Sequence, residues 1–218
     1  MKKTFFNQSV FMDFRDNIDD ISRSTGELET RENRTMFIPV CAGGLLWDVG
    51  ANVGLFSVRA AVNGQPCIAF DFSKRAVQLL KKTAAKNRLS ITVVNQAFTA
   101  TTKQYNPATT SGPQNRVDFL EAGGTASVTY KEAEQLYGTP ALIKMDIEGG
   151  EKEFFDSRDF KEWFCEKKIF WLVELHPTIL GYAPKWDDVP MCEIDSHHHL
   201  YCSDSEKMSV LVKNMGGM

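Results

Sequence analysis

Apolar residues along this chain fall into short solid runs, separated by longer stretches where they recur every third or fourth position. Leu45, Leu46, Trp47 and Val49 form the first run, "PCIAFDFS" (66–73) holds the second, and "ITVVNQAF" (91–98) the third. "ALIKMDI" (141–147) and "KIFWLVEL" (168–175) are the fourth and fifth. Such runs predict strands buried on both faces of a parallel sheet. Between them, Val53, Leu55, Phe56, Val58, Ala60 and Val62 are spaced as one face of a helix. The segment 73–88 repeats that spacing with Val77, Leu80 and Ala84, and Lys74, Arg75, Lys81, Lys82, Lys86 and Arg88 lie opposite. A short helix is expected over 131–137 and a long one over about 150–167. The alternation of strand and helix reads as an α/β fold.

The flanking segments read differently. Residues 1–40 are polar and charged, with Val10, Phe11, Phe14, Ile18 and Ile21 at helical spacing, and are expected to form an N-terminal helical cover. Residues 41–218 form the main domain. The stretch 99–118 is rich in Thr, Ser, Pro and Gly and reads as loop, and "VDFLEAGGTASVTY" (117–130) as a hairpin turning at Gly123-Gly124. "HLYCSD" and "KMSVLVKN" near the end read as a closing hairpin.

Composition narrows the class. A chain of 218 residues has room for a sizeable core, and a net charge of −3 creates no basic field for nucleic acid or anionic membrane. The basic face of 73–88 therefore reads as a solvated helix surface. No apolar run has the length of a membrane span, and Asn7, Gln8, Ser9 and Asp13 interrupt any signal-peptide core. The five cysteines are scattered without a CxxC pair, which points to thiols in a reducing, cytoplasmic setting.

The chemistry concentrates where strands end. In "LLWDVGANVGLF" (45–56), Asp48 ends a strand and Gly50-Ala51-Asn52-Val53-Gly54 turns tightly into a helix. Glycines there serve the turn itself or let a ligand approach the main chain. A dinucleotide loop wants a small residue where Asn52 stands, and a phosphate cradle wants Lys where Leu55 stands. An acid beside the loop repels pyrophosphate and suits the sulfonium and ammonium of S-adenosylmethionine. Asp71, 23 positions after Asp48, lies where ribose hydroxyls of a bound nucleoside would fall. Asn95-Gln96-Ala97 offers amides to an adenine edge.

"WDVGANVGLFS" (47–57), "IAFDFS" (68–73), "LIKMDIEGGEKEFF" (142–155) and "LVELHP" (172–177) together resemble the FkbM-type S-adenosylmethionine-dependent methyltransferases, over about residues 44–177. Asp71-Phe72 replaces the usual Glu-Pro, and Gly149-Gly150 the usual Gly-Ala. The resemblance implies a Rossmann-like class I methyltransferase fold, with a mostly parallel seven-stranded sheet, helices on both faces and the last strand antiparallel. It implies S-adenosyl-L-methionine as cofactor, held by Asp48, Gly50, Asn52, Gly54, Asp71, Phe72, Gln96 and Ala97. Methyl transfer to a hydroxyl needs alignment and a base. Asp146, Glu148 and His176 are the candidates. His176 reads equally well as a strand cap before Pro177, Glu148 as an acid at a helix start, and Lys144 as an ion-pair partner. Asp146, Glu148, Glu174 and His176 have donors for Mg²⁺, but the resemblance requires no metal and none is expected, nor at His197-His198-His199.

The expected acceptor is a hydroxyl on a small molecule or glycan, a sugar foremost, with polyketide-like molecules, nucleic acid and protein as alternatives. A non-catalytic or NAD-binding Rossmann module is a further alternative. Residues 177–199 would border the cofactor mouth in such a fold. Tyr182 and Trp186 there read either as sugar-stacking faces or, for Trp186, as core, and Asp187, Asp188 and the histidines as hydrogen-bonding groups.

Overall fold

A computed structural model of the chain describes residues 2–5, 8–12, 43–106 and 119–216. Its strands in chain order are β1 (Lys2–Phe5), β2 (Gln8–Phe11), β3 (Leu46–Val49), β4 (Cys67–Phe70), β5 (Ile91–Val94), β6 (Phe98–Thr99) and β7 (Gln104–Tyr105). They continue with β8 (Phe119–Leu120), β9 (Thr125–Ala126), β10 (Val128–Thr129), β11 (Leu142–Met145), β12 (Phe170–Glu174), β13 (Met191–Glu193) and β14 (His198–Cys202). The helices are α1 (Leu55–Val62), α2 (Lys74–Asn87), α3 (Tyr130–Tyr137), α4 (Glu151–Asp156), α5 (Arg158–Lys167), α6 (Pro177–Leu180) and α7 (Ser205–Gly216).

Seven strands form the central sheet in the order β13-β14-β12-β11-β3-β4-β5. All neighbours from β12 to β5 are parallel, and β14 runs antiparallel to both β12 and β13. The fold is α/β and Rossmann-like, a mostly parallel seven-stranded sheet with β14 reversed, as the resemblance implied. Alternation along each strand divides the core in two. Trp47, Phe70, Ile143, Met145, Trp171 and Tyr201 face one side, against Phe154, Phe160, Trp163 and Phe164 of α4 and α5. Leu46, Ala69, Leu142, Leu172 and Leu200 face the other, against Phe56 and Val58 of α1, Leu80 of α2, and Met208 and Leu211 of α7.

Several expectations are corrected. Val10 and Phe11 lie in a strand, not a helix: β2 pairs antiparallel with β1, and Val10 and Met12 alternate inward at 5% and 0% exposure. The Asn87 side chain clamps this hairpin by accepting from the Phe11 N–H (2.8 Å) and donating to its carbonyl (2.6 Å). The rest of the expected cover, with Phe14, Ile18 and Ile21, lies outside the described residues, as does Cys41. The arms of the expected 117–130 hairpin do not pair with each other. β8 and β9 flank β7, because Gly124 lets the β7 backbone come close: a Cβ there would sit 2.4 Å from the Tyr105 carbonyl oxygen.

The long 150–167 helix is two helices, broken where Ser157 is extended and its hydroxyl caps α5 through the Phe160 N–H at 3.1 Å. "KMSVLVKN" is part of α7 rather than a strand. Met208 and Leu211, three apart, are buried while Val210 and Val212 are exposed, so period three wins over the apparent alternation. β14 pairs instead with β13, inside a segment that read as loop. Among the described residues no helix is long and apolar enough to cross a membrane. The four described cysteines are free.

Gly50 is where the sheet's centre is tightest. Its φ is +73°, and a Cβ would fall 1.7 Å from the Asp146 carbonyl oxygen, which belongs to rigid backbone. Gly50→Ala is expected to cost roughly 2–4 kcal/mol, combining left-handed strain with a forced backbone shift. Gly64→Ala, also at positive φ (+75°) but with open space around it, should cost only about 1–2 kcal/mol. Urea unfolding of both variants checks the difference; equal costs would mean that the close approach is not a constraint.

Candidate functional site

The carboxyl ends of β3, β4, β11 and β12 meet in one place, and the loops leaving them are tied together through side chains. The Phe70 carbonyl accepts from the N–H groups of Gly50 (2.9 Å) and Ala51 (3.0 Å). Asp71 accepts from the Asn52 N–H at 2.7 Å and from the Ser73 N–H at 2.8 Å. Asn52 itself is left-handed, with φ 49°. The turn after β3 is thus held by the end of β4. Burial raises the Asp71 carboxyl to a pKa of about 6 against the lowering effect of those two N–H bonds.

Asp48 is fully buried. One of its oxygens accepts from the Ser57 N–H (2.9 Å) and hydroxyl, which fixes the first turns of α1. Its β11 register partner is Lys144, itself 4% exposed. Burial disfavours the Lys144 ammonium, but Asp146, Asp48 and Glu174 outweigh it and hold its pKa above the ordinary range. The ammonium lies 3.3 Å from Asp146 Oδ2 and 4.8 Å from the Phe56 ring centre. Lys144 is therefore an ion-pair partner, as one sequence reading had it.

Gly54, with φ +91°, lies so close to Leu80 that a Cβ would fall 2.2 Å from its Cδ1, so this glycine serves helix packing. Beyond β4 and β5, the Asn95 amide donates to the carbonyls of Asp71 (3.0 Å) and Phe72 (2.9 Å), and the Gln96 amide to that of Ala126 (3.1 Å). Ala97 is buried and its carbonyl accepts from Val128. Phe72 is half-buried, edge-on to Tyr105.

The second half of the site is a knot of charge after β11 and β12. His176 Nε2 lies 3.5 Å from Glu148 Oε2, 3.7 Å from Asp146 Oδ1 and 4.0 Å from Glu174 Oε1. Its Nδ1 lies 3.4 Å from Glu151 Oε1, a charge contact. The Glu151 carboxylate, with Asp146 and Glu148, outweighs burial and pushes the imidazole up to about 9. Burial raises the carboxyls of Asp146 and Glu148. It also works against the Glu174 carboxylate, but His198, Lys144 and His176 hold that group down at about 2.

Two residues were missed from sequence. Glu151 is fully buried and accepts from the N–H groups of Ile147 (2.7 Å) and Gly149 (2.8 Å). The residue between them, Glu148, is held left-handed at φ 53°. An acid in the first turn of a helix behind two glycines was the available signal. His198 is the second, one of three histidines in a row with nothing in the sequence to single it out. In β14 it is the register partner of Glu174; its Nε2 lies 3.2 Å from Glu174 Oε2 and its Nδ1 2.9 Å from Asp195 Oδ2.

Trp186 is not a stacking face. It is 7% exposed among Phe155, Phe160, Phe164, Trp171 and Tyr201, and donates to the Phe155 carbonyl at 3.0 Å. Asp187 pairs with Lys185 and Asp188 with Lys161, while Tyr182 remains exposed.

Removing the Glu151 carboxylate strands two amides. Glu151→Ala is expected to cost roughly 2–4 kcal/mol in urea unfolding, and to speed amide exchange at Ile147 and Gly149. A cost under about 0.5 kcal/mol would mean that the turn holds Glu148 unaided.

No protein-family model matches the sequence, and no curated protein matches it. Solved structures do resemble the fold. A putative methyltransferase from Escherichia coli, yhhF, is 12% identical over 81% of this chain and 88% of its own, with a TM-score of 0.48. A Thermus thermophilus 16S rRNA methyltransferase in complex with AdoMet and guanosine is 11% identical over 93% of this chain and 49% of its own, at 0.46. The C-terminal domain of a precorrin-6Y methyltransferase from Rhodobacter capsulatus is 13% identical over 80% and 89%, at 0.42. At these identities the likeness concerns architecture, not substrate or chemistry.

Proposed function

We propose that this protein is an S-adenosylmethionine-dependent methyltransferase of the FkbM type, which moves a methyl group to a hydroxyl oxygen, a sugar hydroxyl foremost. The observation that carries the reading is the clamped Glu148. A left-handed non-glycine residue between two amides held by one buried carboxylate is a conformation maintained at a cost. It stands at the carboxyl ends of the strands, beside the turn tied to Asp71, where open α/β sheets bind ligands. The motifs around Asp48, Asp71 and Asp146 agree with this reading.

In this reading Asp71 keeps lone pairs beyond those given to Asn52 and Ser73, and these accept from the ribose hydroxyls. Asp48 acts on the cofactor through the turn, since its carboxylate is directed at Ser57. S-adenosylmethionine, when bound, would supply the methyl group, its carbon–sulfur bond being exchanged for a carbon–oxygen bond to the acceptor. The hydroxyl proton passes to Glu148, which burial makes a better acceptor than an ordinary glutamate. Asp146 and His176 flank it and orient the acceptor. Tyr182 supplies an exposed ring for the C–H side of a sugar.

Calorimetry with S-adenosylhomocysteine and with NAD tests the cofactor. The expected result is binding of the first only, weakened by roughly 1.5–3 kcal/mol in Asp71→Ala. Unchanged affinity in a folded variant would remove Asp71 from the site, and binding of NAD alone would replace the methyltransferase reading with a Rossmann module. In a methyl-transfer screen over deoxyhexose glycosides, polyketide alcohols and short RNAs, turnover on glycosides is expected. Glu148→Gln should then lower kcat about 100- to 10,000-fold with little change in cofactor affinity. Turnover confined to RNA and falling steeply with salt would overturn the sugar assignment.

A further inference from the structure

The groups around His176 are arranged as pairs, each with an inner and an outer atom. Asp146 turns Oδ2 to the Lys144 ammonium at 3.3 Å and Oδ1 to His176 Nε2 at 3.7 Å. Glu174 turns Oε2 to His198 Nε2 at 3.2 Å and Oε1 to the same His176 nitrogen at 4.0 Å. His176 turns Nδ1 to the fully buried Glu151 and Nε2 inward. Each of the three side chains is therefore anchored on its far side by a different residue: Lys144, His198 or Glu151. The inner donors converge from the ends of two adjacent strands, and one donor atom from each residue lies within 4.8 Å of the others. A carboxylate behind an imidazole, and a held outer oxygen on each ligating carboxylate, is the outer arrangement that orients metal ligands.

We propose that Asp146, Glu174 and His176 bind a divalent cation of the Mn²⁺ class. Two carboxylates and one imidazole suit a borderline-hard ion better than Mg²⁺, which prefers oxygen alone. Two carboxylates also balance its double charge. Bonds of about 2.0–2.6 Å require only small inward movements of donors so spaced. Glu148, 3.5 Å from His176 Nε2, borders the ion without being needed to hold it. The role of such an ion in positioning an acceptor oxygen rests on the methyl-transfer reading, but its binding does not.

The test is titration of Mn²⁺ into the full chain without cofactor or acceptor, followed by calorimetry and by electron paramagnetic resonance. One ion per chain is expected, and the bound-ion spectrum should carry hyperfine coupling to a histidine ¹⁴N. Asp146→Asn, Glu174→Gln and His176→Ala should each weaken binding at least tenfold, and His176→Ala should abolish the nitrogen coupling. Asp204→Asn, which alters an acid paired with Lys168 at the opposite end of β12, should change neither. No binding at millimolar Mn²⁺, or binding without nitrogen coupling in the wild-type chain, overturns the proposal even if a variant fails to fold. Failure here leaves the methyl-transfer screen unaffected, and failure of that screen leaves this titration unaffected.

Discussion

The backbone of Gly50 against the carbonyl of Asp146 is the contact on which the rest of the site depends. It joins the turn after β3 to the turn after β11, and only a glycine leaves space for it. A wider gap would part the Asp71-bound loop from the histidine and carboxylates. The two halves of the site are therefore one construction, built outward from the central strands. Parallel pairing of β3 with β11 sets the register, and the Asp146 N–H donates to the Val49 carbonyl at 3.0 Å to continue it one residue past the strand.

Charge inside the sheet follows from that construction. Lys144 alternates with Ile143 and Met145, so its stem lies on the α1 side, next to Asp48 in register. A lone ammonium or carboxylate at such depth is unfavourable, and a set of mutually compensating groups is the form in which they persist. Lys144 joins the buried Asp48 to the half-exposed Asp146 and Glu174. Glu174 and His198 carry the same network to Asp195 at the sheet's antiparallel side. The carboxylates of Asp146 and Glu174 are thus held by Lys144 and His198, and their second oxygens face His176.

Much of this was legible in the chain. Five solid apolar runs of strand length, alternating in part with stretches of helical spacing, pointed to the parallel α/β layout, because a strand covered on both faces has no polar face to show. Acids at the ends of four of the five runs (Asp48, Asp71, Asp146 and Glu174) and glycines at Gly50, Gly54 and Gly149-Gly150 marked one edge of the sheet, and Asp146, Glu148 and His176 do come together there. What the sequence could not determine were features set by contacts far apart in the chain. β7 lies between the arms of an apparent hairpin because Gly124 admits it. Trp186 is core because five aromatic residues from α4, α5, β12 and β14 surround it. His198, rather than its neighbours, reaches the site because strand pairing placed it opposite Glu174. Local pattern determines which element forms and which of its faces is apolar. Register and long-range packing decide which side chains meet, and these exist only once the sheet is assembled.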